Sequence, residues 1–194
     1  MSDSENVFVI DTSNEIAGDG DVPHPCIGHA RRLMVKSLEC QANVMIECVQ
    51  NHTPSVMVID EIGRTSEIAA AKSIKHRGVR MIASAHGNLK GILRNQELRG
   101  LVGDLETVTL GDMEAKKEAE MKGNNMMNKK KTQRAGEPIF EIIIELSRGK
   151  HDEWIITTNS TEAVDKILNG EKYDAQRRIR NPNNGRFYVM NEKL

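Results

Sequence analysis

The stretch "SVMVIDEIGR" (55–64) constrains the fold more than any other part of the chain. Four consecutive apolar residues, Val56–Ile59, read as a buried strand. The run passes directly into Asp60 and Glu61, with Gly63 two residues on. Carboxylates at the carboxyl end of a buried strand stand where open α/β sheets bind their ligands.

Further strands and helices alternate around it. "NVFVI" (6–10) is a short strand ending in Asp11, followed by a loop rich in Gly, Asp and Pro at 18–25. A helix is expected to begin near Gly28, and Ala42, Met45, Ile46 and Val49 share one face at i, i+3, i+4, i+7 spacing. After Val56–Ile59, Ile68, Ala71 and Ile74 mark a second helix that leads into the strand "GVRMIASAHG" (78–87). Leu89, Ile92 and Leu93 mark a third helix, and "LETVTLGD" (105–112) reads as another strand. Such alternation predicts an α/β fold with a parallel sheet and right-handed crossover helices.

Composition shifts after Asp112. Residues 113–137 read as a helical and then basic linker, with the polar run "KGNNMMNKKKTQR" at 122–134. Beyond it, 138–194 form a small α+β tail. "PIFEIIIEL" (138–146) and "EWIITT" (153–158) are its strands, and a helix is expected to open at Asn159 with Glu162 three residues on. A chain of 194 residues holds one substantial core, here 1–112, and such a small appended unit.

Several function classes are disfavoured at once. The net charge of −1 gives no global field to recruit nucleic acid or anionic membrane. Cys26, Cys40 and Cys48 form no C-x-x-C pair and read as reduced thiols. "MSDSEN" is acidic and polar rather than an export or transit signal, and no apolar run reaches the roughly 18 residues of a membrane span.

The residues that carry chemistry cluster at strand ends. Asp60 and Glu61 either hold magnesium through water and position an attacking water, or are two solvated carboxylates closing a strand. Ser84 and His86 end the next strand, which in a parallel sheet opens on the same edge. Asp11, Ser13 and Glu15 follow the first strand, where the residues alone favour a capped polar turn. Arg31 and Arg32 are the guanidinium groups placed to recognise phosphate, or else belong to a solvated helix face. His24, Cys26 and His29 lack a fourth donor and a regular spacing, so no zinc is assigned. Lys129, Lys130, Lys131 and Arg134 lack interleaved aromatics and read as solvated linker. A phosphate loop, G-x-x-x-x-G-K-[ST], does not occur: at the Gly149-Lys150 pair, Ile144 stands for the first glycine and His151 for Ser/Thr.

Four strings in fixed order, "VFVIDTSNEIAGDGDVPHPCIGHARRLMV", "MIECVQNHTPSVMVIDEIG", "RGVRMIASAHGN" and "ETVTLGD", resemble the AAA-type ATPases of cyanobacteria and plastids related to the sporulation stage III AA protein. The seedling plastid development proteins of plants belong with them. The resemblance covers most of 7–146 and implies a RecA-like core using ATP and Mg2+. By the same resemblance Asp11 and Glu15 match an acidic box, Asp60 and Glu61 a second acid box, and His86 a histidine box. It further implies homo-oligomers, a plastid stroma or cytoplasmic location, and nucleic-acid contact only through a downstream arginine/histidine-type module.

This chain departs from that pattern at both ends. It reads as a C-terminal fragment of the ATPase core, beginning after the phosphate loop and stopping before the nucleic-acid module. The expectation is therefore weak or absent ATP binding by the chain alone, and catalysis only when the upstream piece is supplied. The alternative is a non-catalytic remnant that acts as an assembly or interaction module. The family's strand order would seat the missing strand between "MIASA" and "ETVTL".

Overall fold

The computed structural model describes residues 5–121 and 129–194. Residues 1–4 of the acidic N-terminus and 122–128 of the polar connector lie outside that description. The chain divides into two compact units, 1–98 and 99–194.

The first unit holds a four-stranded, all-parallel sheet in the order β2-β1-β3-β4, with β1 Val7–Asp11, β2 Arg31–Met34, β3 Val56–Ile59 and β4 Arg80–Ala83. The apolar runs of β1 and β3 make them its buried central strands: Phe8, Ile10, Val56, Met57 and Ile59 are all at most 1% exposed. Burying a side chain of that size contributes roughly 1.5–3 kcal/mol. Helices α1 (Gln41–His52) and α2 (Thr65–His76) supply the crossovers and pack on each other.

Ile68, Ala71 and Ile74 of α2 are buried, as their spacing predicts. Glu67 starts that helix by accepting the backbone N–H groups of Gly63 (2.8 Å) and Arg64 (3.1 Å). Gly78, at φ +79°, ends the turn that follows it, its N–H on the Lys75 carbonyl at 2.9 Å. Helix α3 (Leu89–Arg94) is capped by Asn88, which accepts the Gly91 N–H at 2.7 Å, and buries Leu89, Ile92 and Leu93.

Three features differ from the sequence reading. Arg31–Met34, expected inside a helix opening near Gly28, is instead edge strand β2, and α1 starts only at Gln41. With none of its four residues buried, this short run fits a sheet edge, where it pairs with β1 alone among the described residues. Second, the buried face of α1 is centred on Gln41, Met45, Cys48 and Val49, with Ala42 and Ile46 at its margins. The rotation brings a polar amide into the core, for a reason given below. Third, Leu105–Thr109 (β5) is outside the parallel sheet. It pairs antiparallel with β6 (Lys130–Arg134), so part of the expected linker is a strand, and α4 (Asp112–Met121) precedes it.

The second unit also contains a four-stranded antiparallel sheet, order β10-β9-β8-β7: β7 Ile143–Leu146, β8 Glu153–Thr157, β9 Asp174–Arg180 and β10 Phe187–Lys193. Helix α5 (Ser160–Asn169) lies between β8 and β9 in sequence and is capped by Asn159, which accepts the Glu162 N–H at 3.1 Å. The fold is therefore mixed α/β, with a parallel sheet flanked by helices and antiparallel sheets toward the C-terminus.

Candidate functional site

The chain leaves β1 for β2 on one side and returns through α1 to β3 on the other. Loops after β1 and β3 therefore diverge, and a crevice forms at their carboxyl ends, the usual ligand position in such sheets. The residues singled out in the sequence gather around it.

Asp11, fully buried, spends its carboxylate on its own loop. It accepts the N–H groups of Glu15 (3.1 Å), Ile16 (3.2 Å) and Ala17 (2.7 Å), closing a tight turn with Asn14 at φ +58°. The polar-turn reading thus describes Asp11, while Glu15 is left exposed beside it. The same loop aims the Ser13 N–H across the crevice at Asp60 Oδ2, 3.1 Å away. Asp60 is itself buried, and Oδ1 has no hydrogen-bond partner among the described residues.

Glu61 adopts φ +40°, in the left-handed region. For a residue with a side chain this costs roughly 1–2 kcal/mol, and neighbouring groups hold it there. Its N–H donates to Ser84 Oγ at 3.0 Å, its carbonyl accepts from Gln41 Nε2 at 3.1 Å, and the next N–H, of Ile62, reaches the Ser84 carbonyl at 2.8 Å. The Glu61 carboxylate pairs with His86, whose Nε2 lies 3.3 Å from Oε1. His86 is 88% exposed, so this pair sits at the solvent margin and adds little to stability. The structure therefore joins Glu61 to His86 and Asp60 to Ser13, on one edge of the sheet.

Sequence reasoning does not single out Gln41 or Glu67. Gln41 is fully buried; its Nε2 also donates to the Asp60 carbonyl (2.8 Å) and its Oε1 accepts from Thr12 Oγ1 (2.8 Å). One amide thus fastens the β1 loop to the end of β3, which is why α1 turns this face inward. A glutamine opening an otherwise apolar helix face is the available signal. For Glu67 it is an acid in the first turn of a helix directly after the acid-bearing loop.

Arg31 and Arg32 lie on edge strand β2. Arg32 is tied down by the carbonyls of Gly18 (2.5 Å) and Gly20 (2.6 Å), and the Arg31 guanidinium lies 5.7 Å from the centre of the Phe8 ring. Arg32 also borders a cleft between β2 and α1 that is lined by Lys36, Cys40, Glu47 and His52. His24 and Cys26 serve their own turn, through His24 Nδ1 accepting the Cys26 N–H (3.2 Å) and Cys26 Sγ meeting the Ile16 carbonyl (3.3 Å). Among the described residues, no group of three His, Cys, Asp or Glu lies close enough together to hold a metal ion. Nor, among them, is any helix long and apolar enough to cross a membrane.

The profile of the family described as "Sporulation stage III, protein AA" matches residues 4–123, a span that includes every residue of this crevice. The chain belongs to that family. It is 44% identical to the ycf45 protein of Porphyra purpurea, over 95% of this chain and 31% of the relative. To the protein SEEDLING PLASTID DEVELOPMENT 1 of Arabidopsis thaliana it is 42% identical, over 86% of this chain and 23% of the relative. To the stage III sporulation protein AA of Bacillus subtilis it is 30% identical, over 48% of this chain and 30% of the relative. The chain thus spans less than a third of each of these three relatives. Whereas the family profile stops at 123, the match to the Porphyra protein covers 188 residues and so takes in the β7–β10 unit. No solved structure matches the chain.

Proposed function

We propose that this chain is the acid-bearing part of a RecA/AAA-type ATPase, able to hydrolyse ATP only together with a phosphate-loop segment that its own 194 residues do not contain. The observation that carries the reading is the placement of Asp60 and Glu61 at the end of β3, beside the β1 loop bearing Glu15 and the β4 end bearing His86. That is the order of acidic and histidine boxes the family resemblance implies.

The residues present suit one half of the ligand. Asp60 has Oδ1 without a hydrogen-bond partner among the described residues, which suits a magnesium ion that keeps most of its waters and takes few protein carboxylates. Such an ion would neutralise phosphate charge during transfer. For the phosphates themselves the residues do not suffice, because successive backbone N–H groups and a lysine must cradle them. Edge strand β4 supports the same reading: among the described residues it pairs with β3 alone, and Ile82 on it is exposed. A phosphate-loop strand completes the sheet there.

Of the two rivals for orienting the attacking water, Glu61 has the better support. Its backbone is held in a strained conformation and its carboxylate is paired with His86, whereas Glu15 is exposed on its loop. The assembly is a homo-oligomer, in plastid stroma or cytoplasm. The plastid assignment rests on the name of the Arabidopsis relative.

Calorimetry with Mg-ATP, on this chain and on a product extended upstream through a phosphate loop, tests the reading. The chain alone should give no measurable binding and the extended product should bind. Glu61→Gln in the extended product should then keep binding and lose single-turnover hydrolysis, since an amide cannot accept the water's proton. Full turnover in Glu61→Gln with loss in Glu15→Gln would move the role to Glu15. An extended product that binds no ATP would favour the non-catalytic module, and submicromolar binding by the chain alone would overturn the division of labour.

A further inference from the structure

The two faces of the β7–β10 sheet are chemically unlike. Cross-strand register places Leu146, Trp154, Arg178 and Val189 in one row across all four strands. Alternation adds Ile144, Ile156, Gln176, Arg180, Phe187 and Asn191 to that face. The opposite face carries Ala175, together with Glu145, Glu153, Arg177 and Glu192, and Arg177 there bonds both Glu153 and Glu192. Thr157 and Ala175, on that second face, are buried.

On the first face Ile144 and Leu146 of edge strand β7 and Phe187 and Val189 of edge strand β10 are each more than half exposed; on the second face Tyr188 and Met190 of β10 are exposed as well. On the first face stands the chain's single tryptophan, with the Phe187 ring 5.7 Å away and the Arg180 guanidinium 5.8 Å from its own ring. Arg178 lies beside it, bonded through one nitrogen to Gln176 (2.9 Å), while its Nε is shut off from solvent with no hydrogen-bond partner among the described residues. Arg180 keeps one hydrogen bond, to Asp152 in the β7–β8 turn (2.7 Å). Lys193 also falls on this face, opposite Asp174, which is engaged by Lys166 of α5. Near the middle of the sheet the first face thus combines the Trp154 and Phe187 rings, the Arg178 and Arg180 guanidinium groups and the Gln176 and Asn191 amides without a carboxylate, whereas the second face sets Glu145, Glu153 and Glu192 around Arg177, with Tyr188 on its edge strand.

We propose that the first face binds single-stranded nucleic acid. Aromatic rings on a sheet stack unpaired bases of any sequence, flanking arginines take the phosphates, and amide side chains such as Gln176 and Asn191 meet base edges. Four strands at a spacing of about 4.8 Å give a platform wide enough for two or three bases. A second copy of the chain fits less well, because pairing two such faces brings Arg178 and Arg180 against their own kind. The platform belongs to this chain itself and does not depend on the ATPase reading or on any further module.

Trp154 provides the probe. A twelve-nucleotide mixed-sequence RNA should quench its emission and bind in fluorescence polarisation, with the matching single-stranded DNA as a parallel arm and the duplex binding more weakly. Preference for RNA over DNA would assign an interaction to the 2′-hydroxyl. Phe187→Ala should weaken binding about tenfold or more, and Phe187→Tyr should restore it. Changing Arg178→Gln and Arg180→Gln together should lower the salt slope by about 0.7 for each phosphate that is no longer neutralised. Unchanged circular dichroism of these surface variants would show that the fold is intact and that the weaker binding comes from the missing side chains.

Three results would overturn the proposal. One is no quenching or polarisation change up to about 100 µM RNA, the weak end of non-specific binding. Another is binding that survives the face variants but disappears in Lys129→Gln. The third is a dimer in sedimentation that Phe187→Ala dissociates, which would assign the face to a second copy.

Discussion

Each unit of the chain contains a four-stranded sheet, yet the two sheets expose different things. In β2-β1-β3-β4 the inner strands are buried on both sides, so chemistry has room only where strands end, and there Asp60, Glu61, Ser13 and His86 meet. In β10-β9-β8-β7 the residues of the proposed nucleic-acid face, Trp154, Arg178 and Phe187, lie across the strands instead of at their ends. Parallel pairing needs crossover helices that cover the sheet, whereas antiparallel pairing does not. The connection rule therefore decides whether a site is a crevice or a surface.

The largest test of that contrast is truncation of matched apolar side chains. Phe8 is 1% exposed and Val189 is 55% exposed. Phe8→Ala should cost about 3–5 kcal/mol, because it removes a ring from a closed core and leaves a cavity. Val189→Ala should stay within about 0.5 kcal/mol, the usual range for surface substitutions. Urea unfolding followed by circular dichroism measures both, with Trp154 emission as a second probe reporting the β7–β10 unit. A Phe8→Ala loss below about 1 kcal/mol, or a Val189→Ala loss as large as that of Phe8→Ala, would break the comparison.

Next in size is Asp11. If the buried carboxylate chiefly builds the β1 loop, Asp11→Ala leaves three N–H groups without their acceptor and should destabilise by about 1–3 kcal/mol. Glu15→Ala, on an exposed neighbour, should fall within about 0.5 kcal/mol. Equal melting temperatures for the two variants would mean that water replaces the Asp11 hydrogen bonds and that the loop does not rest on them.

The same contrast explains what is legible in the sequence. Val56–Ile59 is legible because a strand buried on both sides must be apolar at every position, and Ile68, Ala71 and Ile74 because a helix lying on a sheet buries one periodic face. Arg31–Met34 reads wrongly as helix, since an edge strand of four residues has too few positions to show its period. β9 and β10 give no legible signal. "DAQRRIR" and "FYVMNEK" alternate weakly because the proposed nucleic-acid face keeps apolar and charged residues side by side. At the site, Asp60, Glu61 and His86 stand out by position, but the left-handed Glu61 and the buried Gln41 amide depend on interactions between segments 20 residues apart, which spacing along one segment cannot show.

A smaller effect distinguishes how helices are fixed in the two units. α2 is held by buried Ile68, Ala71 and Ile74, whereas α5 also has a two-pronged ion pair: Arg134 Nε and a terminal nitrogen reach the two oxygens of Asp165, each at 3.0 Å. Arg134 is only 18% exposed, which favours the pair over an ordinary surface ion pair. Asp165→Ala should cost about 1 kcal/mol, less at high salt. No change in the denaturation midpoint at low salt would place the whole hold on Ala163 and Val164.

The smallest effect is on the far side of α5, where the Lys166 ammonium touches both Glu162 (2.7 Å) and Asp174 (2.9 Å). Hydrogen bonds from Glu162 and then Asp174 raise the lysine above its ordinary value of 10.5, and the Lys166 hydrogen bond lowers Asp174 below its ordinary 3.8. The two shifts act at opposite ends of the pH scale. A depressed carboxylate stabilises the fold above its unfolded pKa, and that contribution disappears as pH falls through the folded value. A raised ammonium stabilises below its unfolded pKa, and its contribution disappears as pH rises through the folded value. The melting temperature of the chain should therefore exceed that of Lys166→Met by a small, constant margin between about pH 5 and pH 9. The margin should shrink on acidification below about pH 4 and again in strong alkali. Both groups are solvent-facing, so salt should reduce it throughout. A margin that persists unchanged in acid would show that the methylene stem of Lys166, packed along α5, stabilises the helix and that its charge does not.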